Sequence, residues 1–256
     1  MDQNTGKRPA THDFLKDGSI VVCHSPHEIT SAATNGPTIV CFHGSGKYAA
    51  GPWAPLLDIL GKKWSWIMFD RGPSTVSVAE HVQLLQEYLR STPISAPYIL
   101  LAHSYGGTFA KQYLYEHPQD VAGIVLVETG KSQEPANMAG RQPWNGGKEW
   151  LGSKPLVVIR GDSLKEKRRA LDELEHTTVA QTNTVSPSMT LAQRQMLAEA
   201  EKQDKILEKA QLQLSKQHRY VHLPDCGHHV VRDRPDAVLK EVQWVIDNLQ
   251  MKDSSR

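Results

Sequence analysis

The sequence predicts an α/β fold with a mostly parallel central sheet flanked by helices, and three observations carry that reading. Short continuous apolar runs recur along the chain, each halting at a polar or glycine-containing turn. Segments with helical hydrophobic spacing lie between them. The 256 residues, 39% hydrophobic and 22% charged, suit one globular domain over residues 1–256. With 29 basic against 28 acidic side chains the net charge is +1, so the basic excess of a nucleic-acid-binding domain is absent. No apolar run approaches the roughly 18 residues that suggest a membrane span. The opening MDQNTGKRPATHD lacks the apolar stretch of a signal peptide. Cys23, Cys41 and Cys226 are too few and too scattered for a disulfide framework or a zinc site. The expectation is a soluble, cytoplasmic protein that acts on a small molecule, without a metal or cofactor.

Asp17-Gly18, between Phe14-Leu15 and Ile20-Val21-Val22, reads as a tight turn joining two short strands. Buried strands are expected at Thr38–Phe42, Trp64–Phe69, Tyr98–Ala102, Ile124–Val127, Leu156–Ile159 and Tyr220–Leu223. Val78, Val82, Leu85 and Leu89 form one apolar helical stripe, and Val238, Val242, Val245 and Leu249 another, with Pro235 suited to its first turn. Two stretches break the alternation. Residues 129–154, rich in glycine and carrying Trp144 and Trp150, read as a loop insertion. Residues 163–217 hold no glycine and only Pro187, which reads as two helices, one on each side of that proline. Thr190-Leu191-Ala192-Gln193 matches a capping box, with Met196, Ala200, Leu207, Ala210 and Leu214 in helical spacing after it. Both insertions suit a lid over a site.

The most informative segment is Ala102-His103-Ser104-Tyr105-Gly106-Gly107, between a buried strand and a helical run. A serine on a strained strand-to-helix turn projects its hydroxyl above a sheet, and small residues two before and two after let the chain turn tightly. Gly106 supplies one and Ala102 the other. The helix that follows aims backbone N–H groups at the same spot, where an oxyanion would be stabilised. A serine hydroxyl also needs a base during attack. His228, after Gly227 in the loop beyond the last strand, is the candidate, and the adjacent His229 reads as a loop residue.

With these residues the chain resembles the α/β-hydrolase superfamily over nearly all of residues 14–249. The matching pieces are His43-Gly44, Asp70-Arg71-Gly72, the Ala-x-Ser-x-Gly-Gly elbow, Val121–Glu128, and Cys226-Gly227-His228 followed by Asp233-Arg234-Pro235. Their order, Ser then acid then His, is the superfamily's own. The resemblance implies an eight-stranded, largely parallel sheet and hydrolysis of an ester, lactone or thioester by a serine–histidine–acid triad. It implies oxyanion donors from the His43-Gly44-Ser45-Gly46 loop, Gly44 and Ser45 among them, and from the Tyr105 N–H. For the acid, Glu128 is the candidate and Asp162 the alternative. Glu128 ends the sixth strand, where some branches such as certain lactonases carry it. Asp162 stands one residue past Gly161, whereas the commoner third position is Leu164. Trp144, Trp150 and the nearby Met138 point to an apolar substrate.

Two other readings share these residues. Gly44-Ser45-Gly46-Lys47-Tyr48-Ala49 fits the outline of a dinucleotide loop, with Asp70 closing the next strand. Gly51, Pro52 and Pro55 speak against the helix that such a loop must open. The other is a lyase, isomerase or ligand receptor on the same fold, which fold alone does not exclude.

Overall fold

The computed structural model describes residues 11–15, 20–24, 36–45, 50–71, 76–130, 149–180 and 187–249. The elements are β1 (Thr11–Phe14), β2 (Ile20–His24), β3 (Ile39–Phe42), α1 (Ala50–Leu60), β4 (Trp66–Asp70), α2 (Val78–Ser91), β5 (Tyr98–His103), α3 (Gly106–Glu116), β6 (Val121–Val127), β7 (Leu156–Arg160), α4 (Lys165–Ala180), α5 (Pro187–Ala210), β8 (His218–His222), α6 (Val230–Asp233) and α7 (Pro235–Asp247). Among the described residues eight strands form one sheet in the order β1-β2-β4-β3-β5-β6-β7-β8. From β4 to β8 every pairing is parallel, while β1 and β2 join antiparallel at one edge. Phe14 pairs with Ile20, so the two strands expected around Asp17-Gly18 do form; the turn itself lies outside the described residues. Among the described residues no helix is long and apolar enough to cross a membrane.

Strand periodicity divides the core in two. Val40 and Phe42 join Leu100 and Leu126 under Val82, Leu85, Phe109 and Tyr113 of α2 and α3. Ile39 and Cys41 point the other way, joining Leu101 and Val125 under Leu56 and Leu60 of α1 and Val238 and Val242 of α7. Helix α2 opens on a capping box in which Ser77 and Glu80 satisfy each other's backbone N–H, worth about 1 kcal/mol. Strand β8 begins two residues earlier than its apolar run suggests, because as an edge strand it keeps His218 and His222 exposed.

Three local expectations give way to tertiary contacts. Helix α1 forms despite Pro55 inside it, since Trp53, Leu56 and Leu60 are fully or almost fully buried and outweigh the ~3 kcal/mol that an interior proline costs. Helix α5 starts at Pro187 and not at a cap on Thr190; a proline at the first helical position loses no helical hydrogen bond. The stripe expected along α5 reaches the core only at Leu214, just beyond the helix end. Met196 and Leu207 are 72% and 48% exposed, whereas Asp204, Glu208 and Gln211 are buried. The inward face is polar because it meets polar strand ends. Arg160 Nε lies 2.8 Å from a Glu208 carboxylate oxygen, and Thr129 Oγ1 donates to Gln211 Oε1 at 2.7 Å. These contacts dock the end of α5 on β6 and β7.

Candidate active site

The site lies at the carboxyl ends of β3, β5, β6 and β7, where consecutive parallel strands end side by side. Beyond β5 the chain turns at Ser104 with φ 52°, a left-handed conformation that non-glycine residues rarely adopt. The Ser104 N–H is donated to the Val127 carbonyl of β6 at 2.9 Å, which pins the turn. Gly106 must lack a side chain, since a Cβ there would run into the Phe42 and His43 carbonyl oxygens. Ala102 is completely buried between Phe42 and Leu126, so its methyl group fits.

Glu128 repeats this geometry one strand further on. It sits just past β6 with φ 54°, and its N–H is donated to the Ile159 carbonyl of β7 at 2.9 Å. The two turns bring their side chains to a common partner. His228 Nε2 is 2.9 Å from Ser104 Oγ, and His228 Nδ1 is 3.0 Å from Glu128 Oε2. The other carboxylate oxygen, Glu128 Oε1, accepts the Gly161 N–H at 2.6 Å. The carboxyl group is therefore buried, bonded at both oxygens and turned onto the imidazole. An imidazole held by a carboxylate on one nitrogen can take a hydroxyl proton on the other.

His228 is held from behind by His103, whose Nε2–H donates to the His228 carbonyl at 2.8 Å. His103 is buried, and that burial pushes its imidazole down to about 4, so it remains a neutral donor. His229 is exposed, its ring 5.6 Å from that of His228. Asp162 goes elsewhere. Its N–H is donated to the Cys226 carbonyl at 2.6 Å, and its carboxylate pairs with Arg168, which also reaches Glu201 of α5. Cys226, two residues before His228, is buried and its thiol is raised by that burial, which removes the thiolate a sulfur nucleophile needs.

Gly44 runs directly beside the serine: a Cβ placed on it would lie 3.2 Å from Ser104 Cβ. Ser45 follows and is exposed, while Gly46 lies outside the described residues. Neither the Ser45 N–H nor the Tyr105 N–H donates to a backbone carbonyl among the described residues. Asp70 Oδ1 lies 3.4 Å from His43 Nε2, and both residues are buried. Trp144 and Met138 lie outside the described residues. Trp150 is placed away from Ser104: its ring packs 4.9 Å from that of Tyr115, about 15 Å along α3 from Tyr105, toward the opposite end of the sheet. The segment before β7 approaches from the amino-terminal side of the strands, which the sequence did not reveal. Sequence reasoning also missed His103 and Gly161 as supports of the site. Their only signal is adjacency, one before Ser104 and one before Asp162.

A family model described as the alpha/beta hydrolase family matches residues 39–241. Among curated proteins, the chain is 25% identical over 247 residues to "Probable transporter efuK" of Hormonema carpetanum, covering 72% of this chain but 34% of that one. The chain thus spans about a third of that relative's length. An uncharacterized protein of Schizosaccharomyces pombe is 38% identical over 76 residues, which are 30% of this chain and 14% of that protein. YqjL of Bacillus subtilis, also uncharacterized, is 23% identical over 84% of each chain. Among solved structures, Smu.1393c from Streptococcus mutans superposes with a TM-score of 0.55 at 14% identity, covering 94% of this chain and 99% of that one. Carboxylesterase CesB from Bacillus subtilis does so with 0.52 at 10% identity, covering 93% and 91%. Matched by the family model along most of its length and folded as these structures are, the chain belongs to the α/β hydrolase family.

Proposed function

We propose that the protein is a serine hydrolase that cleaves a carboxylic ester, lactone or thioester of a small molecule through an acyl-enzyme. One observation carries the reading: the unbroken relay from Ser104 Oγ to His228 Nε2, and from His228 Nδ1 to Glu128, at 2.9 and 3.0 Å. Ser104 attacks the carbonyl carbon while His228 takes its proton. Glu128 holds the imidazole in the tautomer with Nε2 free to accept, and balances the imidazolium as it forms. The Tyr105 and Ser45 N–H groups receive the oxyanion. Collapse expels the alcohol or thiol with the proton from His228. Water, deprotonated by the same imidazole, then releases the acid and regenerates Ser104. Asp162 supports the link between β7 and α4, and residues 163–217 serve as a cap. The reaction is placed in the cytoplasm on the three scattered cysteines, which suit a reducing compartment. With Trp150 at the far end of the sheet, the preference for an apolar substrate loses one of its three supports.

The test is fluorophosphonate labelling alongside turnover of an ester, lactone and thioester panel. The parent protein labels at Ser104 and turns over at least one member of the panel. Ser104→Ala loses both, with kcat lower by ~10³-fold or more. Labelling without any turnover would favour a receptor or lyase on the same site.

A further inference from the structure

Asp70 ends β4, beside the end of β3, and Arg71 follows it, yet Arg71 takes no part in the proton relay. Its side chain is buried, 7% exposed. One guanidinium nitrogen donates to the Gly44 carbonyl at 2.6 Å, and the same nitrogen is 3.5 Å from His43 Nδ1. The plane lies 4.2 Å from the centre of the Phe109 ring and 5.4 Å from that of Tyr105. Among the described residues it is held by the Gly44 carbonyl and by aromatic faces, and the charge of the adjacent Asp70 favours the cation from behind. Burial pushes its pKa down to about 10, so it stays a cation at neutral pH. A buried cation is costly. One backbone carbonyl, which a neutral donor would serve as well, does not account for it.

The Gly44 carbonyl and the Ser45 N–H belong to one planar trans peptide and point opposite ways. A guanidinium that grips the carbonyl therefore sets the direction of the N–H. We infer that Arg71 is a positioning residue for the oxyanion site: it fixes the Gly44–Ser45 peptide so that the Ser45 N–H meets the developing negative charge. The aromatic faces of Tyr105 and Phe109 keep the guanidinium in one orientation, and Tyr105 supplies the second N–H, so a single stack aligns both donors. This inference rests on the ester-hydrolase reading above.

The test uses the full chain, a short-chain p-nitrophenyl ester and an alkyl trifluoromethyl ketone, whose hemiketal oxyanion mimics the intermediate. Arg71→Met keeps the apolar stem and removes the donors. It lowers kcat by ~10–100-fold, the scale of a weakened oxyanion donor, with KM within about threefold of the parent. Inhibition by the ketone weakens by the same factor as kcat/KM. A merely structural arginine would lower the melting temperature and leave the ketone's affinity relative to the ester unchanged, which would overturn the inference. Ser45→Pro, at an exposed loop position, removes the N–H itself and keeps the inference testable should Arg71→Met not fold. It lowers kcat at least as far, and adding Arg71→Met to it produces no further loss. Parental kcat in Ser45→Pro overturns the assignment whatever the Arg71 variants do. Hydrolysis surviving in Ser104→Ala would instead defeat the ester-hydrolase reading itself, so the two failures are distinguishable.

Discussion

Strands β6 and β7 lie side by side and parallel, and each carries a carboxylate just beyond its end, Glu128 on one and Asp162 on the other. Their fates differ because their backbones differ. At Glu128 the chain turns immediately, at φ 54°, and swings the side chain along the strand ends to His228. Beyond β7 neither Gly161 nor Asp162 takes a positive φ; the Gly161 N–H serves the Glu128 carboxylate, and Asp162 is carried past the site to Arg168. A carboxylate's role is thus decided by where the positive φ falls, not by its distance from a glycine in the sequence. The same left-handed turn one strand earlier, at Ser104, places the hydroxyl.

The comparison can be broken by exchanging what each end contributes. Glu128→Ala, leaving His228 without its buried partner, is expected to lower kcat by ~10³–10⁴-fold in steady-state ester hydrolysis. Near-parental kcat in a folded Glu128→Ala protein would return the acid role to Asp162. His103, at the end of β5, tests the loop that both ends share. Burial holds its imidazole down to about 4, whereas the same group titrates near 6.5 when unperturbed. The unfolded chain therefore binds a proton that the folded protein refuses. This stabilisation is complete above pH ~6.5 and is lost as the pH falls toward 4, by at most ~3 kcal/mol. Denaturant titrations across that window should show a shallower decline in His103→Gln than in the parent.

Gly161→Ala sharpens the picture more gently. Its Cβ would lie 2.5 Å from the Gly227 carbonyl oxygen and 2.9 Å from that of Cys226, so the loop carrying His228 must shift. The expected cost is ~1–3 kcal/mol of stability and roughly a tenfold fall in kcat, with Glu128 still present. The smallest effect belongs to Asp162→Asn. Its pair with Arg168 is partly exposed, with side chains 16% and 36% accessible, so the loss is about 0–1 kcal/mol. kcat should stay within about threefold of the parent, and a large fall would contradict the separation of the two carboxylates.

Much of this was readable before any coordinates. Val40 and Phe42, against Ile39 and Cys41, announce a strand buried on both faces, and Val82, Leu85 and Leu89 announce the helix packed on it. Ser104 was legible because its turn makes local demands that Gly106 and Ala102 meet within a few residues. His228 and the two candidate acids were legible as positions, and placement at the end of the sixth strand put Glu128 before Asp162, but no contact was legible to settle it. The contacts that separate them span 124 and 100 residues, from Ser104 to His228 and from Glu128 to His228. No local pattern encodes such distances.

Where the reading failed, the cause was also non-local. Trp150 looks like a lid residue until β7 is seen to be entered from the sheet's other end, where the indole meets Tyr115. The stripe on α5 looks like a core face until Arg160 and Thr129, at the strand ends, draw Glu208 and Gln211 inward instead. By itself the sequence determined the alternation of strands and helices, the strained serine turn and the set of ionisable groups near the strand ends, because each follows from residue type and short spacing. Only the tertiary structure decided which carboxylate faces His228, which face of α5 is buried and which peptide Arg71 holds. Those outcomes depend on which strands lie next to each other and in what register, and the packing of the whole sheet sets that.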